Sequence, residues 1–233
     1  MTDTVLFDLD NTILDFSKAE RAALSKTLEQ MGIPPTEKTC ARYSEINLSR
    51  WKLLEKGEIT RKEVKLSRFR LLFEELGVKA QPEQAAAAYE SFLGIGHYFM
   101  DGAEELLENL YGKYRLYLVT NGTAAVQKGR IKSAGLAKYF EDIFISEEIG
   151  FNKPDIRYFE YCFARIPGFS KERTVIVGDS LTSDIQGGRN AGIRTIWFHP
   201  EGREEGGAAS ERTVEPDMEI RKLSELPELL KKI

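Results

Sequence analysis

The sequence of 233 residues contains only two cysteines and two histidines. Cys40 and Cys162 are far apart and form no C-x-x-C motif. Neither a disulfide framework nor a zinc site is therefore predicted, and a reducing compartment is favoured. With only His97 and His199 available, a metal site built from histidines is also disfavoured. We expect any metal ligands to be oxygen atoms.

The chain also lacks an excess of positive charge and a long apolar run. Its formal net charge is −4, so no broad basic surface would attract a nucleic acid polymer or an anionic membrane. No window approaches the ~20 apolar residues of a membrane span, and the N-terminal segment predicts no signal peptide. We expect a cytoplasmic protein with no nucleic acid polymer and no membrane among its partners. The sequence leaves the oligomeric state open.

Short apolar runs are present instead. Five of them have no polar alternation, which predicts strands that are buried on both faces of a parallel sheet. They are Val5–Phe7, Leu116–Val119, Ile143–Ile145, Val175–Val177 and Thr195–Phe198. From the second run onward, helical patterns alternate with the strands. This order predicts an α/β fold with an open parallel sheet and right-handed crossovers.

The stretch of residues 15–96 interrupts this alternation, because it contains no strand run. Ser17 and Thr60 are each followed three residues later by glutamate, the pattern of a helix capping box. We predict about four helices inserted into a core formed by residues 1–14 and 97–233. Within that core, the glycine-rich and charged segment Glu201–Arg212 predicts a surface loop.

Polar residues lie directly after the predicted strands. The first strand is followed by Asp8 and Asp10, the second by Thr120 and Asn121, and the fourth by Asp179. Ligands of open parallel sheets bind beyond the carboxyl ends of the strands. We therefore expect these side chains to meet in one site.

The crowding of Asp8, Asp10 and Asp179 is unfavourable unless a cation neutralises their charges, and oxygen ligands favour Mg²⁺. Lys153, in the loop after the third strand, adds a positive charge suited to a phosphoryl group. The Thr120 hydroxyl would join it, together with the backbone N–H groups of residues 121 and 122 at a helix start. The sequence thus predicts a site for Mg²⁺ and a small phosphate ester.

A phosphoryl group held in this way lies in line for attack by the Asp8 carboxylate, which would form an aspartyl-phosphate. Asp10 could protonate the leaving oxygen and then deprotonate the attacking water. Taken singly, each of these residues is more typical of a turn, a cap or a solvated side chain. Asp184, five residues beyond Asp179, would by itself be a helix-terminus carboxylate. Their ordered occurrence after buried strands is what predicts a common site.

Four segments resemble the motifs of the haloacid dehalogenase-like (HAD) superfamily of phosphohydrolases. They are FDLDNT at 7–12, TNG at 120–122, Lys153-Pro154, and GDSLTSD at 178–184. The resemblance covers essentially the whole chain. It implies a Rossmann-like core with an all-helical cap domain inserted after the first motif, at residues 15–96.

The resemblance also implies roles for individual residues. Asp8 is the nucleophile and binds the metal through its side chain, whereas Asp10 is the acid and base and binds the metal through its carbonyl oxygen. The dehalogenase branch of the superfamily lacks an aspartate at the position of Asp10 and works without metal. The presence of Asp10 therefore favours phosphate chemistry.

The same resemblance makes Asp179 a metal ligand and Asp184 a supporting carboxylate outside the metal's own ligands. Thr120 and Asn121 bind phosphate, and Lys153 steadies both the nucleophile and the phosphate. The cofactor that it implies is Mg²⁺.

A narrower resemblance, to the YjjG-type pyrimidine 5′-nucleotidases, is carried by the stretches 46–51, 55–60, 145–150 and 182–188. It implies a nucleoside monophosphate as the substrate. Phe16, Asn47 and Trp51 are candidates for binding it, since Tyr43, Asn47 and Trp51 share one face of a helix. The alternative is that Tyr43 and Trp51 belong to the core of the insert.

Two other functions remain open at this point. One is a sugar-phosphate phosphatase or phosphosugar mutase of the same fold. The other is a non-catalytic sensor of a phosphorylated ligand, although a pure binder has no need of an acid and base such as Asp10.

Overall fold

The computed structural model describes residues 1–202 and 214–233. The predicted surface loop Glu201–Arg212 falls mostly on residues 203–213, which lie outside the described part. Among the described residues, no helix combines the length and apolar character needed to cross a bilayer.

The chain divides into two compact units. Met1–Phe16 and His97–Ile233 form one, the sheet unit, and Ser17–Gly96 form the other, the helical unit. The insert predicted from the sequence, residues 15–96, begins two residues earlier and ends at the same residue.

The described part of the sheet unit contains six parallel strands in the order β3-β2-β1-β4-β5-β6. They are β1 Thr4–Phe7, β2 Arg115–Thr120, β3 Asp142–Ile145, β4 Thr174–Gly178, β5 Arg194–Phe198 and β6 Met218–Ile220. The predicted α/β fold is confirmed, and each of the five predicted strands lies within an observed one. The sequence missed β6, a three-residue edge strand with a charged residue, Glu219, at its centre.

The α-helices lie partly in the helical unit and partly between the strands of the sheet unit. They are α1 Phe16–Gln30, α2 Glu37–Glu55, α3 Arg61–Leu76, α4 Pro82–Leu93, α5 Ala103–Leu110, α6 Ala124–Ser133, α7 Ser146–Ile149, α8 Ile156–Phe163, α9 Gln186–Ala191 and α10 Leu226–Leu230. A short π-helical turn, Leu181–Ile185, precedes α9.

Both faces of the sheet are covered, as the uninterrupted apolar runs predict. Along β1, Val5 and Phe7 pack into a cluster with residues of α5 and α10. Leu6, between them, packs on the opposite face with Phe159 of α8. Because β1 is flanked by β2 and β4, the loops that follow these three strands emerge side by side.

The helical unit has an aromatic core. The ring of Tyr43 lies 5.1 Å from that of Phe69 and 5.5 Å from that of Tyr89 between centroids. These rings are buried. Tyr43 is therefore part of the core of the helical unit, as the alternative interpretation of the α2 stripe held.

A polar chain also runs through this core. Asn47 donates to Glu20 Oε1 at 2.7 Å and accepts from Arg68 Nη1 at 3.0 Å. Glu20 also accepts a hydrogen bond from Ser44. All but Ser44 are buried, and burial of the Glu20 carboxylate is tolerated because both of its oxygens accept hydrogen bonds.

The two predicted capping boxes have different outcomes in the structure. Thr60 and Glu63 form the reciprocal pair of hydrogen bonds at the start of α3. In contrast, α1 begins at Phe16, one residue before the predicted cap Ser17, and the Glu20 carboxylate is directed to α2. Local sequence does not distinguish these cases, because tertiary contacts determine what the glutamate binds.

Replacing Thr60 with alanine should destabilise the helical unit by about 1 kcal/mol, since the α3 cap loses its side-chain acceptor. Urea unfolding followed by circular dichroism measures the loss. The matched control is Glu58→Ala, an exposed change two residues earlier. Equal stability of the Thr60→Ala and Glu58→Ala proteins would contradict the capping role.

Candidate active site

Asp8 is the first residue beyond β1, and its backbone N–H donates to the carbonyl of Val177 at 2.9 Å. This bond continues the pairing of β1 with β4 by one residue, which fixes the direction in which the Asp8 side chain leaves the sheet. The residue is 6% exposed. A carboxylate at this depth requires nearby positive charge or hydrogen-bond donors.

Lys153 supplies both to Asp8. Its Nζ donates to Asp8 Oδ1 at 2.6 Å, to Asp184 Oδ1 at 2.6 Å and to the carbonyl of Val119 at 2.8 Å. These contacts engage all three hydrogens of a side chain that is completely buried. The Lys153 ammonium therefore has one position, between the ends of β1 and β2.

The backbone of Lys153 is held by Asn121. The Asn121 side chain donates to the Lys153 carbonyl at 2.9 Å and accepts from the Lys153 N–H at 2.9 Å. This pair of bonds ties the loop after β3 to the end of β2. A residue predicted to bind phosphate thus also positions the site's lysine.

Asp184 is the second anionic partner of Lys153. Its Oδ2 accepts from the backbone N–H of Ser180 at 3.1 Å, so both of its oxygens are engaged. The end of β4 must leave room for this carboxylate: a Cβ on Gly178 would lie 2.3 Å from Asp184 Cγ. Any larger residue at 178 would displace Asp184 and, through it, Lys153.

The carboxylates outnumber the ammonium groups here, and the pKa values reflect this. Burial raises the pKa of Asp8 well above its usual range, and the charges of Asp184 and Asp179 raise it further, while Lys153 lowers it. Burial by itself would lower the pKa of Lys153, but Asp184 and Asp8 outweigh burial and leave that pKa above its usual value. The lysine is charged, and the site still lacks positive charge.

A divalent cation would correct this imbalance. Asp8, Asp179 and Asp184 each offer a carboxylate oxygen, and these oxygens lie within 4.8 Å of one another. Oxygen donors at this spacing fit a hard cation such as Mg²⁺. Asp179 is half-buried, and its carbonyl accepts from the indole N–H of Trp197 at 2.8 Å. Both oxygens of Asp184 are already engaged, by Lys153 and by Ser180, which disfavours Asp184 as a direct ligand of the cation.

The predicted phosphate-binding loop follows β2. Thr120 is completely buried, and its hydroxyl accepts from Gln127 Nε2 at 2.8 Å. The N–H of Gly122 donates to Ser146 Oγ at 3.1 Å. This second bond differs from the expectation that the N–H at 122 serves as a donor for an anion.

Asp10 lies two residues beyond Asp8, and its side chain is one-quarter exposed, at 25%. Its two oxygens accept hydrogen bonds from Arg130 Nη1 and from Gln127 Nε2. Neither donor was predicted from the sequence. The available signal was an amide and a cation three residues apart on the helix after the Thr120 loop.

The three predicted substrate-binding residues have different environments. Phe16 is half-buried, with its ring centroid 5.6 Å from the guanidinium carbon of Arg130. Asn47 is buried within the helical unit, where Glu20 and Arg68 engage its amide. Trp51 is half-buried on α2, and the guanidinium of Arg61 lies 5.7 Å from its ring centroid.

Comparison with known proteins identifies the family of this chain. The family model described as haloacid dehalogenase-like hydrolase matches residues 5–198. The match includes the acidic residues after β1, the loop after β2, Lys153 and the acidic residues after β4. The chain therefore belongs to the haloacid dehalogenase-like hydrolases.

Several relatives are similar over most of their length. The HAD-hydrolase YfnB of Bacillus subtilis (strain 168) is 44% identical over 227 residues, 97% of this chain and 94% of YfnB. The crystal structure of YfnB bound to magnesium superposes with a TM-score of 0.91 and covers 98% of both chains.

Two further relatives are pyrimidine 5′-nucleotidases. PynA of Streptococcus pneumoniae (strain ATCC BAA-255 / R6) is 42% identical over 197 residues, 84% of this chain and 83% of PynA. YjjG of Escherichia coli (strain K12) is 30% identical over 228 residues, 98% of this chain and 97% of YjjG.

The raised pKa of Asp8 predicts a gain in stability when its charge is removed. An acid with a raised pKa in the folded state costs stability once pH rises above its unfolded value, about 3.9. In EDTA at pH 7, Asp8→Asn should therefore have a higher Tm than wild type, by roughly 2–4 °C for each kcal/mol recovered. The difference should disappear near pH 4.

Differential scanning calorimetry tests this expectation, with Asp101→Asn as the control because Asp101 is exposed. Adding Mg²⁺ should raise the Tm of wild type more than that of Asp8→Asn, because the variant lacks a charged ligand. A lower metal-free Tm for Asp8→Asn would contradict the proposed electrostatic cost.

Proposed function

We propose that the protein is a magnesium-dependent phosphomonoesterase that acts on nucleoside 5′-monophosphates through an aspartyl-phosphate on Asp8. The observation that carries this proposal is the buried contact between Lys153 Nζ and Asp8 Oδ1 at 2.6 Å. It holds a carboxylate in one orientation at the end of β1 and places a fixed positive charge beside it. Both are needed for attack on an anionic phosphate ester.

In the first step, an oxygen of Asp8 forms a bond to phosphorus as the bond to the leaving oxygen breaks. The bonding electron pair passes to the leaving oxygen, and Asp10 gives that oxygen a proton. Lys153 offsets charge on the transferring group, with Thr120 and Asn121 as the other phosphate-binding residues. The products are an alcohol and the aspartyl-phosphate.

In the second step, Asp10 takes a proton from water as the water oxygen attacks phosphorus. The bond between phosphorus and Asp8 breaks, inorganic phosphate forms and the Asp8 carboxylate is regenerated. Lys153 now stabilises the departing carboxylate. The exposed quarter of the Asp10 side chain is compatible with access by water and by a leaving group.

The side chains of Asp8 and Asp179 would hold Mg²⁺, together with the carbonyl oxygen of Asp10, while Asp184 acts through Lys153. When bound, the cation supplies positive charge against the phosphate and the crowded carboxylates. The magnesium bound in the YfnB crystal structure supports this choice of metal.

The substrate class is supported by the relatives. PynA and YjjG are pyrimidine 5′-nucleotidases, and PynA shares 42% identity with this chain. We extend this activity to the present protein and propose that Trp51 of α2 stacks on the base. Asn47, whose amide is engaged inside the helical unit, would act by supporting α2, and Phe16 by packing against Arg130.

Asp8→Asn should abolish phosphate release, a fall of at least about 10⁴-fold, because an amide is a poor nucleophile. Excess EDTA should also stop turnover by wild type, and Mg²⁺ should restore it. Phosphate release from 5′-UMP measures both effects, with Asp101→Asn as the control. Turnover by wild type would exclude a non-catalytic sensor, whereas equal rates for wild type and Asp8→Asn would refute the nucleophile.

A panel of phosphate esters tests the substrate class. Nucleoside 5′-monophosphates should give higher kcat/KM values than sugar phosphates. Trp51→Leu should raise KM for the preferred nucleotide at least about fivefold, the loss expected for one base stack. The same change should leave kcat/KM for 4-nitrophenyl phosphate unaltered, and Leu48→Ala on the same helix should alter neither. A preference for sugar phosphates would reject the nucleotidase assignment.

A further inference from the structure

Two side chains of one helix, α6, hold the Asp10 carboxylate. Arg130 Nη1 donates to Oδ1, and Gln127 Nε2 donates to Oδ2 at 2.9 Å. The two donors lie three residues apart on α6 and therefore share one face of the helix. Each engages a different oxygen, so together they define the rotation of the carboxyl group.

The same helix connects Asp10 to the phosphate-binding loop. Gln127 Nε2 also donates to Thr120 Oγ1 at 2.8 Å, and Gln127 Oε1 accepts from Arg130 Nη1 at 3.2 Å. The amide of Gln127 thus links the candidate acid and base to a phosphate-binding residue. Their relative position is set by one side chain.

Local sequence makes room for this arrangement. A Cβ on Gly122 would lie 2.7 Å from Cγ and 2.9 Å from Nε2 of Gln127. Glycine at 122 therefore lets the amide lie against the turn that leads into α6. This contact gives a reason for glycine at position 122 that phosphate binding alone does not supply.

Burial restricts the Arg130 side chain itself. Its side chain has no exposed area, although its partner Asp10 is 25% exposed. The ring of Phe16 packs over the guanidinium, with 5.6 Å between the ring centroid and the guanidinium carbon. A buried arginine beside a partly exposed carboxylate is suited to orienting that carboxylate toward a ligand, since the buried side chain has little freedom to change its conformation.

We propose that Gln127 and Arg130 are positioning residues that hold the Asp10 carboxyl where it exchanges protons with the leaving oxygen and with water. This inference rests on the proposed function, because it assumes that Asp10 is the acid and base. A displacement of about 1 Å in a reacting group can cost about 10²-fold in rate. In this proposal the two residues act through the Asp10 carboxyl and not directly on the phosphoryl group.

The test compares leaving groups. A nucleoside 5′-monophosphate expels an alkoxide that needs a proton, whereas 4-nitrophenyl phosphate expels a weak base that needs little help. Arg130→Met should lower kcat/KM for 5′-UMP by about 10²-fold and for 4-nitrophenyl phosphate by less than about fivefold. The Mg²⁺ concentration for half-maximal activity should remain that of wild type.

Two more variants separate positioning from folding. Gln127→Met should shift the ratio of the two kcat/KM values in the same direction and, because Thr120 loses a donor, should also raise KM. Arg130→Lys, which keeps the charge, should recover part of the 5′-UMP activity. Lys132→Met, an exposed change on the same helix, should leave both substrates unaffected.

Equal losses for both substrates in Arg130→Met and Gln127→Met would overturn the inference, because a purely structural role predicts no dependence on the leaving group. A higher kcat/KM in Arg130→Met would overturn it as well, since the contact would then restrain Asp10 unproductively. These outcomes differ from failure of the proposed function, in which wild type shows no turnover or Asp8→Asn retains it.

Discussion

The buried ammonium of Lys153, between Asp8 and Asp184, is the interaction on which the rest of the site depends. It has three acceptors at 2.6–2.8 Å, so it cannot move without breaking a buried ion pair, and this usually costs several kcal/mol. The Asn121 bonds that hold the Lys153 backbone and the space left by Gly178 both serve this contact. The nucleophile is thereby oriented by groups from three different strand ends.

This arrangement is costly without a counter-ion. Several carboxylates face the end of β1, and burial together with their mutual repulsion raises the pKa of Asp8. The protein tolerates this cost because the surrounding sheet is covered on both faces and its apolar strands supply the stability. Local instability and the proposed catalytic function thus have the same electrostatic origin.

Several elements of the structure could be predicted from residue patterns, and several could not. The five apolar runs located five strands because burial on both faces leaves a local signature. β6 was missed because three residues with a central glutamate carry no such signature. The Thr60 capping box was predicted correctly from a local pattern, but the same pattern at Ser17 was wrong because α1 begins one residue earlier, at Phe16. Gln127 and Arg130 were missed for a related reason: their partner Asp10 is more than 100 positions away in the chain.

The sequence by itself determined the class of fold and the order of the acidic, hydroxyl and basic residues, because these depend on local composition and spacing. Its motifs also carried the resemblance to the family. Only the tertiary structure decided which atoms meet. It showed that Lys153 bridges Asp8 and Asp184, that α6 holds Asp10, and that the Asn47 amide is occupied inside the helical unit. The physical reason is that hydrogen bonds and ion pairs act over about 3 Å, a distance that chain spacing cannot specify once residues come from different strands and helices.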